Sequence, residues 1–333
     1  MHRRNFIRNT AQASFALSIL GLASCKNGKS SEQSENTGET ESAEHIPFFK
    51  LSLAQWSIHK MILEEGLDPY KFAAKAKGWG FEGLEYVSHL YSKELEKNTN
   101  SAMAMENLVK ELKKRSNDHG LENLIIMVDG EGDFGFPEEA DRAKAVENHH
   151  KWVDAAAALG CHSIRVNLFG SNNPEIWKSA SVDALNRLCE YSAKSNVNIL
   201  VENHGWLSSN AKLLAEVMEA VNKPNCGTLP DFGNFCVERE GGERWGAPCV
   251  KEYDKYQGVK ELMPYAKAVS AKSYDFDESG IETTIDYMKM LQIVKNAGYK
   301  GYIGVEYEGS RLSEEMGIIA TKDLLLNASK QLS

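Results

Sequence analysis

Three apolar runs of this chain end in acids. Leu200-Val201-Glu202, Thr228-Leu229-Pro230-Asp231 and Ile303-Gly304-Val305-Glu306 each place a carboxylate where a buried strand gives way to a loop. Singly, each reads as a loop acid or an ion-pair partner. Brought together they repel, and a divalent cation is the usual remedy. Glu202, Asp231 and Glu306 are therefore expected to bind one divalent metal ion, with Mn, Co, Mg or Zn as candidates. Such an ion acidifies the proton next to a carbonyl, and a carboxylate moves it.

Further polar residues sit at comparable positions. Gln55, Glu85 and Asn167 end other apolar runs and suit recognition of hydroxyl groups; Glu85 suits an ion pair at the barrel bottom equally well. His204, two residues after Glu202, could donate to a substrate hydroxyl or act as an acid or base. Ser270 and Lys272 share one side of their strand by alternation. Lys272 would then stabilise an oxyanion or pair with one of the acids. Trp56, Trp206 and Trp245 near the same loops could stack on a ring of the substrate. His149-His150, inside a helical pattern, reads as a solvated face.

The elements that must position these residues alternate. Strands are expected at 49–55, 83–87, 124–128, 163–168, 198–202, 227–231, 268–272 and 302–306. Helical patterns lie at 69–77, 102–117, 138–159, 182–195, 211–221, 259–264, 285–297 and 313–332. Alternation of this kind means a parallel sheet covered by helices. Eight units match an α/β fold of the (β/α)8 TIM barrel type, whose chemistry sits at the C-terminal ends of the strands. An open doubly wound sheet is the runner-up, but no G-x-G-x-x-G follows its first strand, which disfavours a nicotinamide enzyme. Residues 233–256 exceed a plain connection and read as a lid at the rim.

With these residues in place, the body of the chain resembles the xylose-isomerase-like barrel superfamily of sugar isomerases, epimerases and endonuclease-IV-type enzymes. The marks are Gly80-Phe81-Glu82-Gly83-Leu84-Glu85, Val201-Glu202-Asn203-His204, Asp231 in Asp-Phe-Gly-Asn, and Val305-Glu306. The resemblance implies one metal held by Glu, Asp, His and Glu from strands five to eight, with Glu202 and Glu306 also exchanging protons. The strand-seven His is absent: Ser270 stands there, and no His follows His204. The fourth ligand is then Ser270, water or a substrate oxygen. Asn234 replaces a second-metal His, which speaks against a phosphodiesterase. The implied activity is isomerisation or epimerisation of a sugar or keto-sugar, or a lyase or hydratase reaction on 3-keto-glycosides, with Lys272 and His204 acting on substrate. A non-catalytic sugar-binding lipoprotein on a degenerate barrel is the alternative.

The ends and the composition add context. Arg3-Arg4-x-Phe6-Ile7 resembles a twin-arginine signal and Leu22-Ala23-Ser24-Cys25 a bacterial lipobox. Residues 1–24 are then an export signal, Cys25 the lipidated residue, 25–46 a flexible tether and 47–333 the catalytic barrel. The expected location is the periplasm or cell envelope, with membrane contact through the lipid anchor alone. Among 333 residues the net charge is -9, which argues against a nucleic-acid partner. The expected partner is a small-molecule carbohydrate; a homo-oligomer stays open. Cys25 apart, five cysteines remain; Cys236 and Cys249 could bridge, with buried free thiols the default.

Overall fold

The computed structural model describes residues 45–332. The export signal, Cys25 and all but the last two residues of the tether lie outside the described residues. Ten strands form: β1 (Lys50–Ala54), β2 (Gly83–Val87), β3 (Glu122–Met127), β4 (Ser163–Val166), β5 (Asn198–Glu202), β6 (Cys226–Leu229), β7 (Cys236–Arg239), β8 (Cys249–Glu252), β9 (Val269–Ser273) and β10 (Tyr302–Tyr307). Eight of them pair in parallel in the order β6-β5-β4-β3-β2-β1-β10-β9, and helices cover the outside. This is the TIM barrel. Its last seam, between β6 and β9, is carried by isolated parallel bridges, Thr228 to Ala266 and Asp231 to Ser270. Pro230 has no N–H, so β6 stops at Leu229.

Alternation sorts the strand residues. Ile164 and Val166 on β4, and Ile303 and Val305 on β10, face the helices and are fully buried. Ser52, Glu85, Arg165, Glu202, Ser270, Lys272 and Glu306 are also buried and meet one another within the barrel. Parallel strands are covered on both faces, so a charge in the body of a strand must turn inward and find a partner there.

Several expectations are corrected. Segment 233–256 contains an antiparallel hairpin, β7 with β8, clasped by a Cys236–Cys249 disulfide. Cys161, Cys189 and Cys226 are free. The fourth long helix runs Pro174–Ser192 and starts eight residues earlier than its apolar pattern suggested, because the Asn173 side chain accepts from the N–H groups of Glu175 and Ile176, with Pro174 in the first turn. His149 is buried at 2% exposure, its Nδ1 2.7 Å from Ala145 O; only His150 reaches the outer face, stacked on Tyr191. No helix among the described residues is long and apolar enough to cross a membrane.

Candidate active site

Glu202 ends β5, Asp231 follows β6 and Glu306 lies on β10; one oxygen of each lies within 4.8 Å of the others. All three are buried. Local hydrogen bonding fixes them. Asn203 accepts from Asp231 N at 2.8 Å and donates to the carbonyls of Asp231 and Asn234 at 3.0 and 3.1 Å, continuing the pairing that Pro230 interrupts. Asp231 Oδ1 accepts from Gly233 N and Asn234 N at 2.9 and 2.7 Å. Asn234 Nδ2 donates to Glu202 Oε1 at 3.1 Å.

Two buried cations complete the cluster. Lys272 Nζ lies 3.1 Å from Glu306 Oε1, 2.9 Å from Glu308 Oε1 and 3.9 Å from Asp231 Oδ2, with no exposure. Register explains this: Lys272 is directly opposite Glu306 in the β9–β10 ladder. Burial alone would lower the Lys272 pKa, but the three carboxylates raise it well above the ordinary value, so it stays charged. Arg165 Nε stands 2.9 Å from Glu202 Oε2 as an ion pair without a directed hydrogen bond, and Nη1 donates to Asp129 Oδ1 at 2.8 Å.

Ser270 occupies the seam. Its Oγ is 2.6 Å from Asp231 Oδ2 and 3.0 Å from Glu306 Oε2. A hydroxyl has one proton, so it cannot donate to both. Burial pushes the Asp231 carboxyl upward, and a protonated Asp231 donating to Ser270, which donates to Glu306, satisfies both contacts. Burial also raises Glu202, against the pull of Arg165.

The residues fit a divalent cation. The donors are oxygens, and five acids (Glu202, Asp231, Glu306, Glu308, Asp129) face two cations. A Ser hydroxyl in place of an imidazole keeps the whole donor set oxygen.

Above the cluster lies a cavity of about 480 Å³ at the C-terminal ends of the strands. Glu306, Glu308, Arg165, Asn167, Asp129 and His204 line its polar floor. Asn167 Nδ2 donates to Asp129 Oδ1 at 2.7 Å, so Asn167 Oδ1 is left to accept from His204 Nδ1 at 2.7 Å. His204 thus carries its proton on Nδ1, and Nε2 is a free acceptor. Burial and the charge of Arg165 hold its pKa down at about 4, so it is neutral at pH 7. Burial would raise Asp129, but Arg165 and His204 hold it at about 2.

The remaining expected residues lie elsewhere. Gln55 is buried behind the floor, donating to Tyr91 OH at 2.8 Å and accepting from Val87 N at 3.1 Å, so its amide is committed to the fold. Glu85 is deeper in the barrel, held by Ser52 Oγ at 2.6 Å. Neither lines the cavity, nor does Trp206; Trp56 and Trp245 do. Lys272 and Ser270 stand beneath the lining residues. Arg165, Asp129, Glu308 and Arg244 went unrecognised. Arg165 and Asp129 carried the signal used for the others: a charge within or just after an apolar run.

A family model described as xylose isomerase-like TIM barrel matches residues 73–327. The alpha subunit of a 3'-dehydrocarminate deglycosidase from Microbacterium sp is 22% identical over 268 residues, covering 61% of this chain and 74% of that protein. The structure of 3-keto-D-glucoside 4-epimerase from E. coli matches with a TM-score of 0.60 at 14% identity, over 83% of this chain and 98% of that one. A xylose isomerase-like TIM barrel protein from Mycobacterium smegmatis, in complex with magnesium, matches with a TM-score of 0.58 at 14% identity, over 87% and 100%. At these identities the structural matches show a shared fold.

Proposed function

The chain belongs to the xylose isomerase-like TIM barrel family, and from that premise we propose that it moves a proton next to the carbonyl of a keto-sugar, on 3-keto-glycosides in particular. One observation carries the reading. Glu306, part of a buried carboxylate cluster, lines a cavity whose floor also carries Nε2 of a neutral His204, an acceptor with no partner among the described residues. The names of the Microbacterium and E. coli proteins, both acting on oxidised glycosides, support this substrate class.

Glu202, Asp231 and Glu306, with Ser270, would hold one divalent ion, Mg²⁺ or Mn²⁺. When bound, that ion supplies charge that makes the proton beside the carbonyl more acidic. Glu306 takes that proton: the C–H bond breaks, its electron pair shifts toward the carbonyl oxygen, and the Arg165 guanidinium on the floor faces the growing charge. Return of a proton to the opposite face gives an epimer, the role the family pattern would give Glu202, which lies buried beneath the cavity lining. Expulsion of a group one carbon further on, which leaves with the electron pair and takes up a proton, gives a lyase product. His204 Nε2 accepts from a sugar hydroxyl and orients the ring, and Asn167 holds its tautomer. Leu22-Ala23-Ser24-Cys25 supports an exported, lipid-anchored location for this reaction.

A second reading draws on the same cluster. Each of the six oxygens of Glu202, Asp231 and Glu306 already has a protein partner, which suits a binding protein that needs no ion. Incubation of methyl 3-keto-glucoside with the protein in D₂O separates the two. The expected result is deuterium at a carbon beside the ketone, slowed about 10²- to 10⁴-fold in Glu306→Gln and slowed by chelation. Saturable binding without deuterium incorporation would leave the binding protein.

A further inference from the structure

The upper wall of the cavity is built differently from its floor. Trp245, in the loop between β7 and β8, is 46% exposed although it lines the cavity. Its ring meets Phe169 edge-on at 5.6 Å and His204 at 4.9 Å between centroids. The loop that carries it is braced. Arg244 lays its guanidinium 4.3 Å over the Phe169 ring and pairs with Asp133 Oδ2 at 2.8 Å, across from the hairpin. Arg239 Nη1 donates to Ala247 O at 2.8 Å, and Cys236–Cys249 closes the base. Trp245 thus offers a partly uncovered aromatic face beside the polar floor, on a loop held in place. The cavity of about 480 Å³ lies within the range of small-ligand sites.

We propose that Trp245, backed by the buried Phe169, forms a second subsite that takes a ring with an apolar face attached to the reacting sugar. The sugar then lies on the floor at Asn167, His204 and Glu306, and the attached ring lies against the indole. An aryl aglycone and the C–H face of a second pyranose share the chemistry required, an apolar face that packs on an aromatic surface. Arg244 positions the wall, since Phe169 and Asp133 already occupy its charge. The assignment rests on reading the floor as a sugar site.

Calorimetric titration with inert glycosides tests it without turnover. Methyl β-glucoside, phenyl β-glucoside and cellobiose are titrated into the full chain. At least one of the two ring-bearing ligands is expected to bind about 10-fold more tightly than the methyl glucoside. Phenyl glucoside alone would identify an aryl subsite, and cellobiose alone a sugar subsite. Trp245→Ala should bring that ratio near one, and Trp245→Phe should restore part of it. Methyl glucoside binding as tightly as both others in the unaltered chain overturns the subsite while leaving the floor intact. Failure of all three to bind while methyl 3-keto-glucoside still binds overturns the subsite; failure of that ligand as well removes the sugar reading.

Discussion

Glu85 and Glu306 point into the same barrel, from β2 and β10, yet the fold treats them in opposite ways. Glu306 has the ammonium of Lys272 at 3.1 Å and the hydroxyl of Ser270 at 3.0 Å. Glu85, 1% exposed, receives one hydrogen bond from Ser52, and its Oε2 meets no donor among the described residues. It rests against Gly304, where an added Cβ would come within 2.5 Å of its Oε1. Burial pushes its carboxyl up to about 8, so at pH 7 it is neutral. Glu306 meets an ammonium and a hydroxyl, whereas Glu85, a buried acid without a cation, keeps its proton. The first can serve chemistry at the cavity, and the second fills space beneath it.

Removing the cation should break this contrast most strongly. Lys272→Met leaves Glu306, Glu308 and Asp231 without their ammonium in a dry site. Breaking a buried pair from one side costs about 3–5 kcal/mol. For a body of this size that lowers Tm by roughly 5–10 °C. Melts with and without excess Mg²⁺ or Mn²⁺ check the cause: the ion should recover more of the loss in the variant than it adds to the unaltered chain. A variant that melts unchanged in chelator would mean that Lys272 does not offset these acids.

Much of this cluster could be read from the chain itself. Glu202, Asp231 and Glu306 stand out because each ends a run that a covered parallel strand requires to be apolar. Arg165 between Ile164 and Val166 was equally legible, since a charge inside such a strand has no outward option. What could not be read is who meets whom. That Lys272 is paired with Glu306, whereas Gln55 is consumed by Tyr91 and Val87, depends on register and on the first helical turn after β1. That Glu85 lacks a cation depends on what β1 and β10 bring near it, which is Ser52 and Gly304. The Cys236–Cys249 pair depends on an antiparallel hairpin that parity among five cysteines does not select. The helix Pro174–Ser192 was foreshortened because its first turn is polar; Asn173-Pro174 was the available sign.

Glu85→Gln sharpens the comparison through pH. Below its ordinary pKa of 4.5 the carboxyl is protonated in both states, so pH has no effect there. From 4.5 toward 8 the unfolded chain releases the proton while the folded chain keeps it, so stability falls as pH rises. By pH 7 this costs about 3 kcal/mol. Glutamine keeps the neutral shape and has no proton to lose. Its Tm relative to the unaltered chain should therefore climb between pH 5 and pH 8. A difference in Tm that stays flat with pH would show that Glu85 titrates normally and has a partner.

The smallest effects should come from the two serines, which occupy matching roles in unlike surroundings. Ser52→Ala removes the donor of Glu85 and leaves Oε1 as bare as Oε2, a loss of about 1–3 kcal/mol for a buried acceptor left unpaired. Ser270→Ala takes a hydroxyl from Asp231 and Glu306, but Asp231 keeps two backbone N–H donors on Oδ1 and Glu306 keeps Lys272. Its cost should be about 1 kcal/mol for each of the two hydrogen bonds lost, the range of an ordinary hydrogen bond, because both acids keep other partners. Denaturant titration of both variants at pH 7 measures the difference. If Ser270→Ala is the more damaging, the proton shared along Asp231, Ser270 and Glu306 matters more to the fold than the ammonium behind it. The contrast between the two acids would then rest on Ser270 rather than on Lys272.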